Sequence, residues 1–181
     1  VGTSLKHFAA NNQEYKRLIS DSIMDERTLR EIYLSSFERA VKKGNPATVM
    51  CSYNKINGVY SSDNKYLLTD ILRKEWGWNG CVITDWGALH DRIKGYEAGC
   101  DLSMPGGSVY MEKATLKALK EGRLDEKLID DSVERILTLV ERSKNNRPEE
   151  VDWKKHYTVA LRVAEEGAVL LKNQDNILPL K

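Results

Sequence analysis

Asp85 ends an apolar run, Cys81-Val82-Ile83-Thr84, and is followed by Trp86-Gly87. A carboxylate in that setting is held beside a flat indole, the kind of surface on which a sugar ring stacks. Ionised, it can attack an anomeric carbon or stabilise an oxocarbenium ion. The competing role is structural: an Asp after a strand commonly caps the next helix, and on spacing alone capping has a slight edge. Lys6-His7 is the second pair of interest. The lysine brings a cation and three donors, the histidine a donor and an acceptor. Together they suit vicinal hydroxyls, and the cation favours the ionised form of a nearby carboxylate. A desolvated lysine at a strand end can also form a Schiff base, which leaves a lyase as a rival reading. The plain alternative is a surface lysine beside a histidine at the edge of the core.

Tyr53 and Met50 come next. The phenol can donate a hydrogen bond to Asp85, and Met50 can line a pocket or simply pack. Arg17 lies in the polar stretch after Lys6-His7, within reach of the same pocket unless solvent claims it. Asn11-Asn12-Gln13-Glu14 are expected to hold that stretch through side-chain amides. His90 and His156 fall on expected helices and read as structural or exposed, while Trp76, Trp78 and Trp153 read as packing the outer helices.

These residues need elements to carry them. Apolar runs predict strands over 1–8, 47–51, 81–83 and 100–104. Between them, helical periodicity predicts helices over 25–44, 63–76 and 89–98, then 109–121, 125–143 and 156–172. Asp25 is placed to cap the first helix and Gly44 to close it. Asn57-Gly58 marks a turn, 145–151 a charged loop, and 173–181 a linker. The order is an α/β alternation with connections long enough for parallel strands. Each expected strand ends in polar or reactive residues: Lys6-His7, Tyr53-Asn54, Asp85-Trp86, Ser103-Met104. Such ends converge on one face of a (β/α)8 barrel, whereas an open sheet spreads them along a line. No GxGxxG or Walker A loop occurs to favour the open sheet. Four strands make only half of a barrel, a complete one taking ~250 residues. The rest is expected from an upstream segment, from a self-dimer, or from a longer parent chain. Residues 1–143 then form the half barrel, and 144–181 a flanking helix and a linker towards a second domain.

The chain has 181 residues, with 28 Lys plus Arg against 27 Asp plus Glu, a formal charge of +1. Hydrophobic residues make up 41% and charged residues 30%, which excludes a disordered chain. The neutral balance argues against a nucleic-acid partner, and no apolar run approaches the ~18 residues of a membrane span. Cys51, Cys81 and Cys100 are too few and too widely spaced for a disulfide framework or a zinc site. Their apolar surroundings favour a reducing, cytoplasmic compartment. Val1 opens the chain without a basic or apolar leader, and a start other than Met points to a longer parent whose location stays open.

Taken together, several stretches resemble the catalytic barrel domain of glycoside hydrolase family 3, in its β-glucosidase and β-xylosidase branch. They include KHFAANNQE at 6–14, DERTLREIYL at 25–34, VMCSYN at 49–54 and LLTDILR at 67–73. WGWNG at 76–80, VITDWGA at 82–88, AGCDLSMPG at 98–106, VLLKN at 169–173 and ILPL at 177–180 continue the series in order. The resemblance implies that Asp85 is the nucleophile of a retaining exo-β-glycosidase, forming a covalent glycosyl-enzyme. It implies that Lys6, His7 and Arg17 bind hydroxyls of a terminal β-glucosyl residue, that Tyr53 stands beside the nucleophile, and that Met50 and Trp86 wall the pocket. The Gly-containing sequence of the N-acetylglucosaminidase branch after Lys-His-Phe is absent. No metal or organic cofactor is implied.

The resemblance also marks what this chain leaves out. Family members add an upstream barrel half that contributes an Asp and an Arg, and a second domain that usually brings the acid/base Glu. Retaining chemistry needs two carboxyl groups ~5 Å apart, and Glu14, Glu97 and Glu112 are the candidates within the chain. A non-catalytic half barrel, binding sugar or assembling with another chain, is the remaining expectation.

Overall fold

The computed structural model describes residues 2–144 and 150–180. Val1 of the expected first strand, residues 145–149 of the expected loop and Lys181 of the tail lie outside them. The chain divides into two compact units, Val1–Asn145 and Asn146–Lys181.

Among the described residues the first unit carries six strands: β1 (Ser4–Phe8), β2 (Asp21–Ser22), β3 (Thr48–Cys51), β4 (Lys55–Ile56), β5 (Val59–Tyr60) and β6 (Cys81–Thr84). The main sheet is parallel, in the order β1-β3-β6. Val49, Cys51 and Val82 are fully buried, which is why β3 and β6 read as continuous apolar runs instead of alternating ones. β3 and β6 run in step from Thr48↔Cys81 to Cys51↔Thr84. Their ends are therefore level, and Ser52-Tyr53 and Asp85-Trp86 leave the sheet side by side.

The expected fourth strand, 100–104, reduces to one parallel bridge, Ile83↔Leu102. The cause is Asp101. Its carboxylate accepts the Val82 N–H at 2.8 Å, taking the place of a backbone carbonyl. The Thr84 hydroxyl then bonds the Met104 backbone, further replacing the ladder with side-chain bonds. A second, small sheet was not expected: β2 pairs with β4, and β4 with β5, across the Asn57-Gly58 turn. Both turn residues have positive φ, 50° and 89°, as a tight two-residue hairpin requires.

The first helix runs continuously over 26–44 as α1 (Glu26–Thr28), π-type turns at Leu29–Leu34, and α2 (Ser35–Gly44). Asp25 caps it as expected, accepting the Thr28 N–H at 2.7 Å. Its close is displaced by one residue. Gly44 stays helical and Asn45 takes the left-handed position at φ 42°, a conformation Asn tolerates better than most residues. The next helix starts at Tyr66, later than expected, because Ser61–Asp63 forms a separate 3-10 turn and the Asn64 side chain caps Leu67. Its Leu67, Leu68, Ile71 and Leu72 are buried. α3 (Arg92–Ala98), α4 (Val109–Lys120) and α5 (Glu126–Lys144) follow.

Phe8 anchors the core, its ring 5.1 Å from Phe37 and 5.8 Å from Trp76. Trp76 and Trp78 are buried, and the Trp78 indole donates to the Pro46 carbonyl at 3.0 Å. A Cβ on Gly80 would stand 2.3 Å from that indole, so the approach requires glycine. All three cysteines are free and buried. The second unit holds α6 (Trp153–Gly167) and a 3-10 turn, Gln174–Asn176. The helix stops short of the expected Lys172: Gly167 is a poor helix former and Ala168 is extended. Trp153, expected to pack, is exposed.

Candidate active site

The site starts from an irregularity in β1. Leu5 pairs with Val49 and Phe8 with Cys51, so Lys6 and His7 together stand opposite Met50 alone. Two residues against one is a β-bulge, which re-aims side chains at strand ends. The Lys6–His7 and Phe8–Ala9 peptide bonds are cis. His7 Nε2 lies 3.4 Å from Asp85 Oδ2.

Asp85 is fixed by its surroundings more than by its own helix. Its N–H donates to the Cys51 carbonyl at 3.2 Å, and its Oδ1 accepts the Trp86 N–H at 2.6 Å. The capping role belongs to Asp91, which accepts the Ile93 and Lys94 N–H groups at the start of α3. Asp85 is thus free of that duty, with its side chain 17% exposed.

Tyr53 is buried, and its phenol donates to the Trp86 carbonyl at 2.8 Å. Burial pushes this phenol up from its ordinary range, and the nearby Asp85 carboxylate pushes the same way. The Arg17 guanidinium stacks over the Tyr53 ring, 4.7 Å from its centre, and pairs with Glu14 at 2.7 Å. The hydrogen bond to Glu14 raises the guanidinium above its usual range. Asn11 donates to the other Glu14 oxygen at 3.0 Å, holding the loop as expected. Trp86 presents an indole that is 64% exposed.

His7, Arg17, Tyr53, Asp85 and Trp86 therefore form one connected cluster at the level ends of the sheet. Met50 is partly buried opposite the bulge. Lys6 is exposed and, with His7, lines an adjoining cleft of about 430 Å³ beside Tyr33 and Phe37. The lining of that cleft includes neither Asp85 nor Tyr53. Of the three glutamates considered, Glu14 touches the cluster through Arg17, whereas Glu97 and Glu112 line separate clefts. His90 is not on a helix: it precedes α3 and stacks on Tyr60 at 3.5 Å, with burial and then Lys55 pushing its imidazole down. Among the described residues no group of three or more His, Cys, Asp or Glu could hold a metal ion.

The sequence placed Tyr53-Asn54 at a strand end but gave no sign of the buried bonding roles of Ser52, Asn54 and Ser61 beneath the cluster. Ser52 and Asn54 flank Tyr53 and are buried, as is Ser61. The polar triplet directly after an apolar strand marks where Ser52 and Asn54 lie, and not what they bond.

The model for the glycosyl hydrolase family 3 N terminal domain matches residues 1–139. The chain belongs to that family. It is 51% identical to thermostable β-glucosidase B of Acetivibrio thermocellus, over 100% of this chain and 24% of the relative. It is 48% identical to an exo-α-(1→6)-L-arabinopyranosidase of Bifidobacterium breve, over 99% of this chain and 24% of that protein. The solved family 3 β-glucosidase of Bifidobacterium adolescentis superposes with a TM-score of 0.84 at 46% identity, covering 99% of this chain and 27% of that one. The chain thus spans about a quarter of the length of these relatives and shares the solved structure's α/β fold of parallel strands and helices.

Proposed function

We propose that this chain supplies the nucleophile and much of the sugar-binding wall of a retaining exo-β-glycosidase that releases terminal β-D-glucosyl residues. The observation that carries the reading is Asp85, held by the Trp86 N–H, with His7 at 3.4 Å, flanked by Tyr53 and Trp86, and partly exposed. In the first step an Asp85 oxygen bonds to the anomeric carbon as the glycosidic C–O bond breaks. The departing oxygen takes its proton from an acid. In the second step water attacks the glycosyl-Asp85 ester, loses its proton to the same group, and frees Asp85. His7 and Arg17 bind ring hydroxyls at the cluster and Lys6 does so from the adjoining cleft, Tyr53 flanks the nucleophile, and Met50 and Trp86 wall the pocket. No cofactor enters these steps.

The family resemblance assigns the acid to another part of the intact protein; within the chain, Glu14 at the cluster pairs with Arg17. We read residues 1–143 as the C-terminal half of a (β/α)8 barrel and 144–181 as a helix and linker leading to a second domain. An upstream segment or a second copy completes the barrel. The chain's quarter share of its relatives' length supports the presence of further parts in the intact protein.

A 2-deoxy-2-fluoro-β-glucosyl fluoride tests the reading on the intact protein. The expected result is one sugar added to the peptide that contains Asp85. A label on any other peptide overturns the assignment. The β-glucosidase and arabinopyranosidase names of the relatives make both pyranosides the first substrates to compare. A second reading, a half barrel inactive by itself, is favoured by the pairing of Glu14 with Arg17. Hydrolysis of an aryl β-glucoside by the 181-residue chain, lost in Asp85→Asn, would exclude it.

A further inference from the structure

Three successive carbonyls beyond His7 are all claimed from the end of β3. The Phe8 carbonyl accepts the Ser52 N–H at 2.8 Å. The Ala9 carbonyl accepts the Ser52 hydroxyl at 3.0 Å and the Asn54 amide at 3.2 Å. The Ala10 carbonyl accepts the Ser22 hydroxyl at 2.9 Å and the Asn54 amide at 3.3 Å. The same Asn54 amide nitrogen also lies 3.3 Å from Ser22 Oγ and 3.0 Å from the Lys55 carbonyl, so that four acceptors share its two hydrogens, while the Ser61 hydroxyl bonds the Asn54 carbonyl at 3.0 Å. Asn54 Oδ1 is buried without a partner among the described residues, so the side chain serves here only as a donor. Ala10 sits at φ 59°, a left-handed conformation that a residue with a Cβ keeps only where its surroundings over-determine it.

Ser52 and Asn54 stand on either side of Tyr53, and the carbonyls they hold lead directly back to His7. We infer that Asn54, with Ser52 and Ser22, is the positioning device that fixes His7 and Tyr53 around the Asp85 carboxylate. The inference rests on the proposed nucleophilic role of Asp85. Asn54 touches no substrate in it and acts through the backbone of 8–10. Its weight falls on the transition state, because small displacements of reacting groups cost rate before they cost affinity.

Asn54→Asp keeps the shape but replaces the donor with oxygens that face carbonyl oxygens. In the intact protein, inactivation by the fluoro-sugar should slow by about 50-fold, with the inhibitor's binding constant changed by less than about threefold. Acidification should restore part of the rate relative to the wild type at the same pH, since the variant's carboxyl group regains one donor once protonated. Ser52→Ala, a milder change, should slow the step by about fivefold and speed amide exchange in the 8–12 backbone. It serves as the decisive variant if Asn54→Asp does not fold. Asp101→Asn, whose carboxylate bonds Arg73, Arg135 and the Val82 N–H and none of the residues of this network, is the control for stability loss alone. If Asn54→Asp or Ser52→Ala lowers the melting temperature as Asp101→Asn does but leaves the inactivation rate unchanged, the network is only structural and the inference falls. A wild type labelled elsewhere than Asp85 removes the proposed function and this inference together. A wild type labelled at Asp85, with variants equally fast, removes this inference alone.

Discussion

Asp85 and Asp101 are both aspartates at the sheet, and they lead opposite lives. Asp101 is completely enclosed. It accepts from Arg73 and Arg135 at 2.8 Å each and from the Val82 N–H at 2.8 Å. Those contacts tie β6 to the helix over 66–75 and to α5. Its negative charge, after burial itself, helps keep the Cys81 thiol neutral, pushed up to about 12. Among the described residues Asp85 has one firm donor, the Trp86 N–H, and a looser neighbour in His7 at 3.4 Å. A carboxylate saturated by cations has nothing left to offer an incoming carbon. One held in place with an oxygen unspent is available for bond formation. The two carboxylates thus differ in partners more than in burial alone: two guanidiniums and an amide enclose Asp101, whereas Asp85 keeps the Trp86 N–H and a looser His7.

The sharpest way to break this contrast is to remove each carboxylate in turn. Asp85→Asn should lower kcat of the intact protein by about 10⁴-fold or more, near 5 kcal/mol of barrier, while the unfolding midpoint hardly moves. Steady-state kinetics with an aryl β-glucoside, beside urea melts, decides it. Asp101→Asn should do the reverse. Leaving two arginines against a neutral amide should cost about 3 kcal/mol of stability, read as a lower urea midpoint, with activity per folded molecule retained. If the two variants exchange phenotypes, the assignment of roles is wrong.

Tyr53→Phe probes the boundary between the two. It removes the bond to the Trp86 carbonyl, and about 1 kcal/mol of stability with about a tenfold loss in kcat is expected. The same variant carries a pH signature. The folded protein holds the Tyr53 phenol above its ordinary value, so the unfolded chain loses that proton first. The resulting stability is full below about pH 10 and fades as pH climbs through the folded-state value. Melts in alkaline buffers should show that decline in the wild type and a flatter profile in Tyr53→Phe. The smallest effect belongs to the rim of the buried cluster. Lys127 pairs with Asp131 in the open at 2.7 Å, and Lys127→Ala should leave the melting midpoint unchanged, because exposed pairs contribute little.

Much of this arrangement was readable in the residues. The apolar runs before Tyr53 and Asp85 are strands, and their polar ends do meet. Asp25 does cap its helix, and Trp76 and Trp78 do pack. The failures have separate causes: a side-chain partner, a backbone conformation and a strand register. Asp101 looked like an ordinary member of a strand, yet its carboxylate replaces the ladder bond that would have made one. Asn45 took over the helix ending from Gly44 because either residue tolerates positive φ. The two-on-one offset at Lys6-His7 left no mark in the composition, since a bulge is a property of register between strands distant in sequence.

That offset constrains how the protein can change. Lys6 and His7 are delivered from adjacent positions of one strand, with no loop between them to lengthen or shorten. Dropping a single residue there would rephase the strand's tip and swing the imidazole away from Asp85. Variation in chain length would be tolerated in an exposed turn away from the cluster, such as residues 121–123, where it leaves that spacing untouched. Under the proposed role, adaptation to a new sugar would thus proceed by swapping side chains and reshaping the rim, with the count between Leu5 and Phe8 kept.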